Sequence, residues 1–466
     1  MLFELHRTPR RDIAREAGSL IRLALPMMIA QIAQVATGFV DMVMAGAVGT
    51  DDLAAVSLGA SVFIMAYVTL MGVVSALNPI LSHLLGAGRV EQIGATGRQG
   101  LWFGFLLGLA GMAAMLATRP VLTAWLPLPA HVTAMVDLYI VGAALGMPAA
   151  MTHRALHAYA SSLNRPRPIM FMSLICLALN VPLNYVLIHG LFGLPALGGA
   201  GCGWATGIVF WINALLLGAY IARHPHFAPF GLFRRFDAPD FARLREFFKL
   251  GAPIGLSFFT EVSLFSLIAL LVARFGTVVV ASHQAVLNVS SIAYMIPQSL
   301  AVAVSVRVGQ AGGAGDWRRA RFVSGVGLLV GLAGALITMA VVMGWRHEII
   351  GLYSDDARVL ALGAGLLVYS AVFQLVDATQ TVASGALRGY KLTAVPMLIH
   401  TLTFWGVGLG LGVTLGLTDW LAPAMGVYGF WSALVVSLIA AAALLVAYLA
   451  FESRRRLARH TVQGNA

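Results

Sequence analysis

The sequence predicts an all-α integral membrane protein of twelve transmembrane helices. Hydrophobic residues make up 59% of the chain and charged ones 11%, and the mean hydropathy is +0.85. Apolar stretches of about 20 residues, long enough for a hydrocarbon core about 30 Å thick, recur along the whole length. A soluble globular surface cannot be built from that balance.

The first stretch, near 20–45, follows a basic N-terminus. It is too long for the apolar part of a secretory signal and lacks a cleavage site, so it is read as a retained span. Further spans fall near 54–84, 95–118, 132–157, 169–189 and 200–222. A polar connection from Arg223 to Phe247, rich in Pro, Arg and Phe, then divides the chain close to its midpoint. Within it Phe241, Leu244, Phe247 and Phe248 share a helical face, which suits either a segment lying at the lipid interface or simply the start of the next span. Spans near 246–274, 278–308, 322–345, 358–386, 392–414 and 426–450 complete the set. The expected domains are an N-terminal lobe, 1–225, a cytoplasmic linker, 226–242, and a C-terminal lobe, 243–466, with a basic tail.

Basic residues near span ends stay cytoplasmic. With the N-terminus inside, that side collects Arg10, Arg11, Arg89, Arg98, Arg154, Arg165, Arg307, Arg388 and Arg454, with the cluster from Arg223 to Lys249. Only Arg119, Arg274, Arg346 and Arg358 fall outside, so both termini are expected in the cytoplasm. The net charge of +11 is read through this asymmetry. No basic run is interleaved with aromatics, and no nucleic-acid partner is expected. Cys176 and Cys202 lack metal-ligand spacing and read as buried free thiols.

The two halves resemble one another. Leu25-Pro26 corresponds to Ala252-Pro253, Gly86-Ala87-Gly88 to Gly313-Ala314-Gly315, and Ala155–Tyr159 to Ala386–Tyr390. Gly198, Gly201 and Ala205 correspond to Gly426, Gly429 and Ala433. An even number of spans per half keeps both halves in one orientation. This predicts two six-helix lobes related by a pseudo-twofold axis along the membrane normal.

Four acids fall inside spans: Asp41, Asp137, Glu261 and Asp377. Glu261 lies about 18 Å along its span from Lys249, and Asp377 about 17 Å from Arg388, so both sit near the midplane at matched depth. Gln374, Asp377, Thr381 and Ser384 follow one helical face, and Gln284, Asn288, Ser291, Tyr294 and Gln298 another. Two carboxylates, amide oxygens and a tyrosine hydroxyl suit one small hard cation or a shared proton. The amides equally suit interhelical hydrogen bonding worth about 1 kcal/mol each. An ionisable group at such depth points to function.

Gln31, Gln34, Gly38 and Asp41 share a face, and Gln34 is the repeat equivalent of Glu261. Asp41, about 30 Å along its span, is near the external boundary, either as a functional acid of the N-terminal lobe or as a solvated acid at a helix end. Asp137 reads as interfacial, and Asp355 and Asp356 as external loop acids. His153 and His157 stand at i, i+4 with no third ligand and read as part of a cytoplasmic helix end. Hydrolase, metalloprotease and phosphate-loop motifs are absent, so no enzyme is predicted, and an ion gradient is the remaining energy source.

Several stretches carry a family resemblance: LALPMMIAQIAQVATGFVDMVMAG with Asp41, HRALHAYASSLNRPR, NVPLNYVLI, LGAPIGLSFFTEVS with Glu261, YMIPQSL with Tyr294 and QLVDATQTVASGALRGY with Asp377. Together they make the chain similar to the multidrug and toxic compound extrusion transporters of the bacterial NorM type. The resemblance implies a V-shaped fold of two lobes, acting as a monomer in the bacterial inner membrane. It implies antiport of cationic, amphipathic drugs against sodium ions or protons, with no other cofactor. Glu261, Tyr294 and Asp377 would form the cation site, with sodium on Glu261 and Asp377, and Asp41 would handle protons or drug. Gln34, Gln284, Asn288, Gln374, Asp355 and Asp356 are candidates for the substrate cavity. A lipid-linked oligosaccharide flippase of the same superfamily is the alternative, disfavoured because few basic residues lie within the spans to hold a diphosphate.

Overall fold

The computed structural model describes residues 9–125 and 128–463, and these form an all-helical protein. Among the described residues twelve helices are long and apolar enough to cross a membrane. They are α1 (Arg10–Val48), α2 (Thr50–Gly86), α3 (Val90–Leu122), α4 (Ala130–Ser162), α5 (Arg167–His189), α6 (Gly198–Arg223), α7 (Phe241–Phe275), α8 (Thr277–Gly313), α9 (Trp317–Gly344), α10 (Ala357–Gly389), α11 (Ala394–Leu417) and α12 (Val427–Arg459). Each expected span has its helix. Most helices overrun their apolar stretch because polar turns at the ends continue the same backbone hydrogen bonding.

α7 starts at Phe241 and runs without a break. The amphipathic segment is therefore the start of this span and not a separate interfacial helix. Leu244 and Phe247 are buried, with Phe247 edge-on to Phe103 at 5.7 Å between ring centroids, while Phe241 and Phe248 are exposed. The connection before it is tied to α3. Arg98 donates to the Asp237 carboxylate at 2.5 Å and to the Gly231 carbonyl at 2.8 Å. The Gln99 side chain donates to the Ala238 carbonyl and accepts from the Asp240 backbone N–H, each at 2.8 Å. Phe227 and Leu232 are buried beneath.

The chain divides by compactness into two units whose limits fall inside helices. The N-terminal unit comprises Ile29–Gly255; the C-terminal unit comprises the chain up to Met28 together with the chain from Leu256 onward. Each limit follows a proline, Pro26 in α1 and Pro253 in α7. The start of α1 thus packs with the C-terminal spans, where Leu20, Leu23 and Met27 join a core with Leu300, Val304 and Leu445. Arg307 clamps Glu16 with two hydrogen bonds at 2.8 and 2.7 Å. Reciprocally, the start of α7 belongs to the N-terminal unit, where Gly251 and Gly255 lie against the Val73 and Thr69 backbone of α2.

Helix contact within the N-terminal unit depends on small residues. A Cβ on Gly146 of α4 would lie 2.5 Å from the Cα of Gly207 of α6, and one on Gly207 would lie 2.4 Å from the carbonyl oxygen of Gly142. Backbone stands on both sides, so no side chain can move aside. In a lipid solvent such close approach is what holds helices together, since apolar burial alone gives no preference for protein over acyl chain. Replacing Gly207 by Val is expected to destabilise the protein by about 2 kcal/mol or more. Thermal unfolding in detergent checks this, with Gly344→Ala, which meets nothing within 4 Å, as the control that should leave the midpoint in place.

Candidate functional site

In the C-terminal unit the two acids expected near the midplane come together. Asp377 on α10 is 3% exposed, and Glu261 on α7 is half-buried within electrostatic reach of it. Glu261 makes no hydrogen bond among the described residues, which leaves its carboxylate oxygens open to a ligand. Asp377 is held by side chains of its own helix. The Gln380 side chain, one turn on, donates to Asp377 Oδ1 at 2.8 Å and to Thr381 Oγ1 at 3.0 Å. His400 of α11 fixes that amide, its Nε2 lying 2.8 Å from Gln380 Oε1. The His400 ring stacks on Phe404 at 5.4 Å, beside a π-helical stretch, Leu402–Leu409, that interrupts α11.

Tyr294 of α8 completes this cluster. Its hydroxyl donates to Gln298 Oε1 at 3.4 Å and interacts electrostatically with both acids. Arg388 at the end of α10 is buried, stands over the Phe258 ring at 5.9 Å and interacts with Glu261 and Tyr294. The charge count places Arg388 on the cytoplasmic side; in the fold its guanidinium turns into the protein toward the acids. Two carboxylates and one guanidinium leave the cluster with one formal negative charge.

The remaining candidates separate. Gln284, Asn288 and Ser291 of α8 are exposed, and Gln298 is buried, so the polar stripe runs from open surface past Tyr294 into packed protein. Gln374 is buried and donates to Ser370 Oγ at 3.2 Å, which in turn bonds Ser290 at 2.7 Å. This chain joins α8 to α10 and is separate from the carboxylate pair. Asp355 is exposed. Asp356 caps α10, accepting from the Arg358 backbone N–H at 2.8 Å and from its guanidinium at 3.2 and 2.8 Å. Those bonds hold its carboxyl below the usual carboxylate range. Asp137 pairs with Arg119 at 3.1 Å.

Asp41 is 4% exposed and is not a solvated acid at a helix end. Asn184 of α5 donates to its Oδ1 at 2.6 Å, Thr206 of α6 donates to its Oδ2 at 2.9 Å, and Asn184 also reaches Asn180 at 3.1 Å. The Cys202 thiol faces the Asp41 carbonyl at 3.6 Å. Both cysteines are free and buried. Gln34, on the same helix, donates instead to the Tyr67 hydroxyl at 2.5 Å.

Sequence reasoning named the acids and missed most of their partners: Gln380 and His400 at Asp377, and Asn184 and Thr206 at Asp41. The i, i+3 pair Asp377 and Gln380 and the i, i+4 asparagines 180 and 184 were legible signals. His400 and Thr206 carried none, because their role depends on how two helices are rotated against each other.

Comparison with known proteins places the chain in a family. The MatE family model matches residues 26–186 and 253–414, stretches that begin at the two equivalent prolines. A protein of Chromobacterium violaceum described as a probable multidrug resistance protein NorM is 64% identical over 98% of this chain and 99% of its own. The multidrug resistance protein PmpM of Pseudomonas aeruginosa is 42% identical over 96% of this chain and 94% of its own. Among solved structures, the MATE transporter NorM-NG, in complex with a ligand and a monobody, aligns with a TM-score of 0.79 at 46% identity, covering 94% of this chain and 95% of that one. The eukaryotic MATE transporter AtDTX14 shares the fold alone, with a TM-score of 0.85 at 20% identity over 96% of this chain and 99% of its own. On these matches the chain belongs to the MatE family of multi-pass membrane transporters, among its NorM-type members.

Proposed function

We propose that this chain is a secondary antiporter of the bacterial inner membrane, with both termini cytoplasmic. It exports cationic, amphipathic drugs in exchange for sodium ions or protons. The observation that carries this reading is the proximity of Glu261 and Asp377 in an apolar helix bundle, where Arg388 is the basic group acting on Glu261 among the described residues. The cluster's one formal negative charge is neutralised by one monovalent cation. Sodium finds hard oxygen ligands in Glu261, Asp377 and the Tyr294 hydroxyl; a proton finds an open acceptor in Glu261.

Coupling follows from competition. A carboxylate pair neutralised by the transported ion no longer attracts a cationic drug, and a pair that holds the drug is closed to the ion. Binding one therefore favours release of the other, and alternating access converts that competition into exchange. The multidrug names of the NorM and PmpM relatives and the ligand complex of the neighbouring NorM-NG structure support drugs as the substrate class. Asp41, saturated by amide and hydroxyl donors, is assigned drug or proton handling in its own unit.

Efflux of a fluorescent cation from proteoliposomes, with sodium and proton gradients imposed separately, tests the proposal. Glu261→Gln is expected to cut gradient-driven efflux by about tenfold or more, while the purified protein keeps its elution profile and thermal midpoint. Efflux at the unsubstituted rate would sink the assigned site. Asp41→Asn is expected to change drug affinity several-fold and to leave sodium affinity within about twofold, since the two acids lie in different compact units. Titrations of sodium and of drug on the purified variant check this, and a larger shift in sodium affinity contradicts it.

A further inference from the structure

The acid and tyrosine of the C-terminal unit, Glu261 and Tyr294, have counterparts at the same spacing in the N-terminal unit. These are Gln34 and Tyr67, 33 residues apart and directly hydrogen-bonded. The Gln34 amide donates to the Tyr67 oxygen, so the hydroxyl proton is left to donate onward, and Tyr67 makes no other hydrogen bond among the described residues. Glu261 is answered there by an amide, Gln34, and the charged group beside Tyr67 is Arg154 of α4, its guanidinium 5.6 Å from the ring centroid.

Arg154 lies inside α4, not in a connecting segment, and no acid pairs with it among the described residues. Its hydrogen-bond neighbour is the Met71 sulfur, a weak acceptor, and its Nε is buried without a partner. The titratable groups nearest along the helix are His153 and His157, both buried and neither acidic. Asp41, the buried acid of this unit, has both oxygens taken by Asn184 and Thr206. Arg154 and Gln34 are each only half-buried. A planar guanidinium with idle N–H groups is best matched by a planar oxyanion, above all a carboxylate.

We propose that Gln34, Tyr67 and Arg154 form a second binding site, in the N-terminal unit, for the carboxylate of an aromatic amphipathic ligand. Arg154 supplies the charge, the Tyr67 hydroxyl a directed donor, and Gln34 orients that hydroxyl. Phe63 and Phe210, 5.5 and 5.6 Å from the Tyr67 ring, brace the tyrosine from behind. The assignment rests on the reading of the chain as a carrier of amphipathic drugs. It adds that zwitterionic compounds are held by their anionic end at a place distinct from the cation site.

The test uses the full-length protein in detergent free of anionic lipid, with two dyes that differ at one group: rhodamine B, which carries a free carboxylate, and its ethyl ester. Fluorescence anisotropy gives a Kd for each. Arg154→Gln is expected to weaken rhodamine B by roughly tenfold or more and the ester by less than about twofold. Gln34→Glu, which offers Arg154 an internal carboxylate, is expected to give the same selective loss, and Arg154→Lys to restore part of it. Equal changes for both dyes, or no change for either, overturn the site. Added phosphatidylglycerol is expected not to displace rhodamine B. Displacement that Arg154→Gln abolishes would make this a lipid phosphate site and overturn the carboxylate assignment. Failure of the unsubstituted protein to bind the ester overturns the transport reading itself, whereas loss of the acid's selectivity alone overturns only this site.

Discussion

The constraint on which this structure turns is the cost of holding charge among apolar helices. Removing an ion from water is expensive unless another charge or several donors replace the lost hydration. The protein meets that cost in two ways. At Asp41 it saturates the carboxylate with Asn184 and Thr206 and buries the result. At Glu261 and Asp377 it leaves the compensation incomplete, with Arg388 answering one of two acids and Glu261 without a hydrogen bond among the described residues. The Asp41 carboxylate is met by donors of its own unit, whereas the Glu261 and Asp377 pair keeps one formal negative charge.

Around these groups the helices meet through backbone contact. The Gly146–Gly207 approach and the Gly385 contact with the Ala301 backbone bring helix axes near enough for short polar side chains to bridge them. Ser290, Ser370 and Gln374 do so between α8 and α10. Such bridges stabilise by modest amounts each, and their larger effect is to fix the rotation of α10. That rotation sets which way Asp377 and Gln380 point, so packing far from the acids governs the geometry at them.

Much of this was legible in the sequence. Span number follows from hydropathy, because backbone satisfaction in lipid admits only long helices. The proximity of Glu261 and Asp377 was signalled by their matched rise along the two spans. What was hidden lies across helices: Arg388 counts as cytoplasmic by position and its long side chain turns toward Glu261, while Arg154 counts the same way and stands over the Tyr67 ring. Asp41 stays open between two readings in the sequence because depth along α1 says nothing about the asparagines of α5. The compact units were hidden for a related reason, since the continuity of α1 and α7 in sequence gives no sign that each changes packing partners just after its proline.

That last feature bears on how the chain is made. Residues 10–28 emerge from the ribosome before the spans that follow them, but the side chains that bury Leu20 and Met27 and the arginine that clamps Glu16 belong to the half synthesised later. Until then the opening turns of α1 must wait in lipid or at its surface, with Glu16 unpaired. Insertion of the first span and its docking are therefore separate events, and neither half of the chain, made alone, contains everything its own first helix needs.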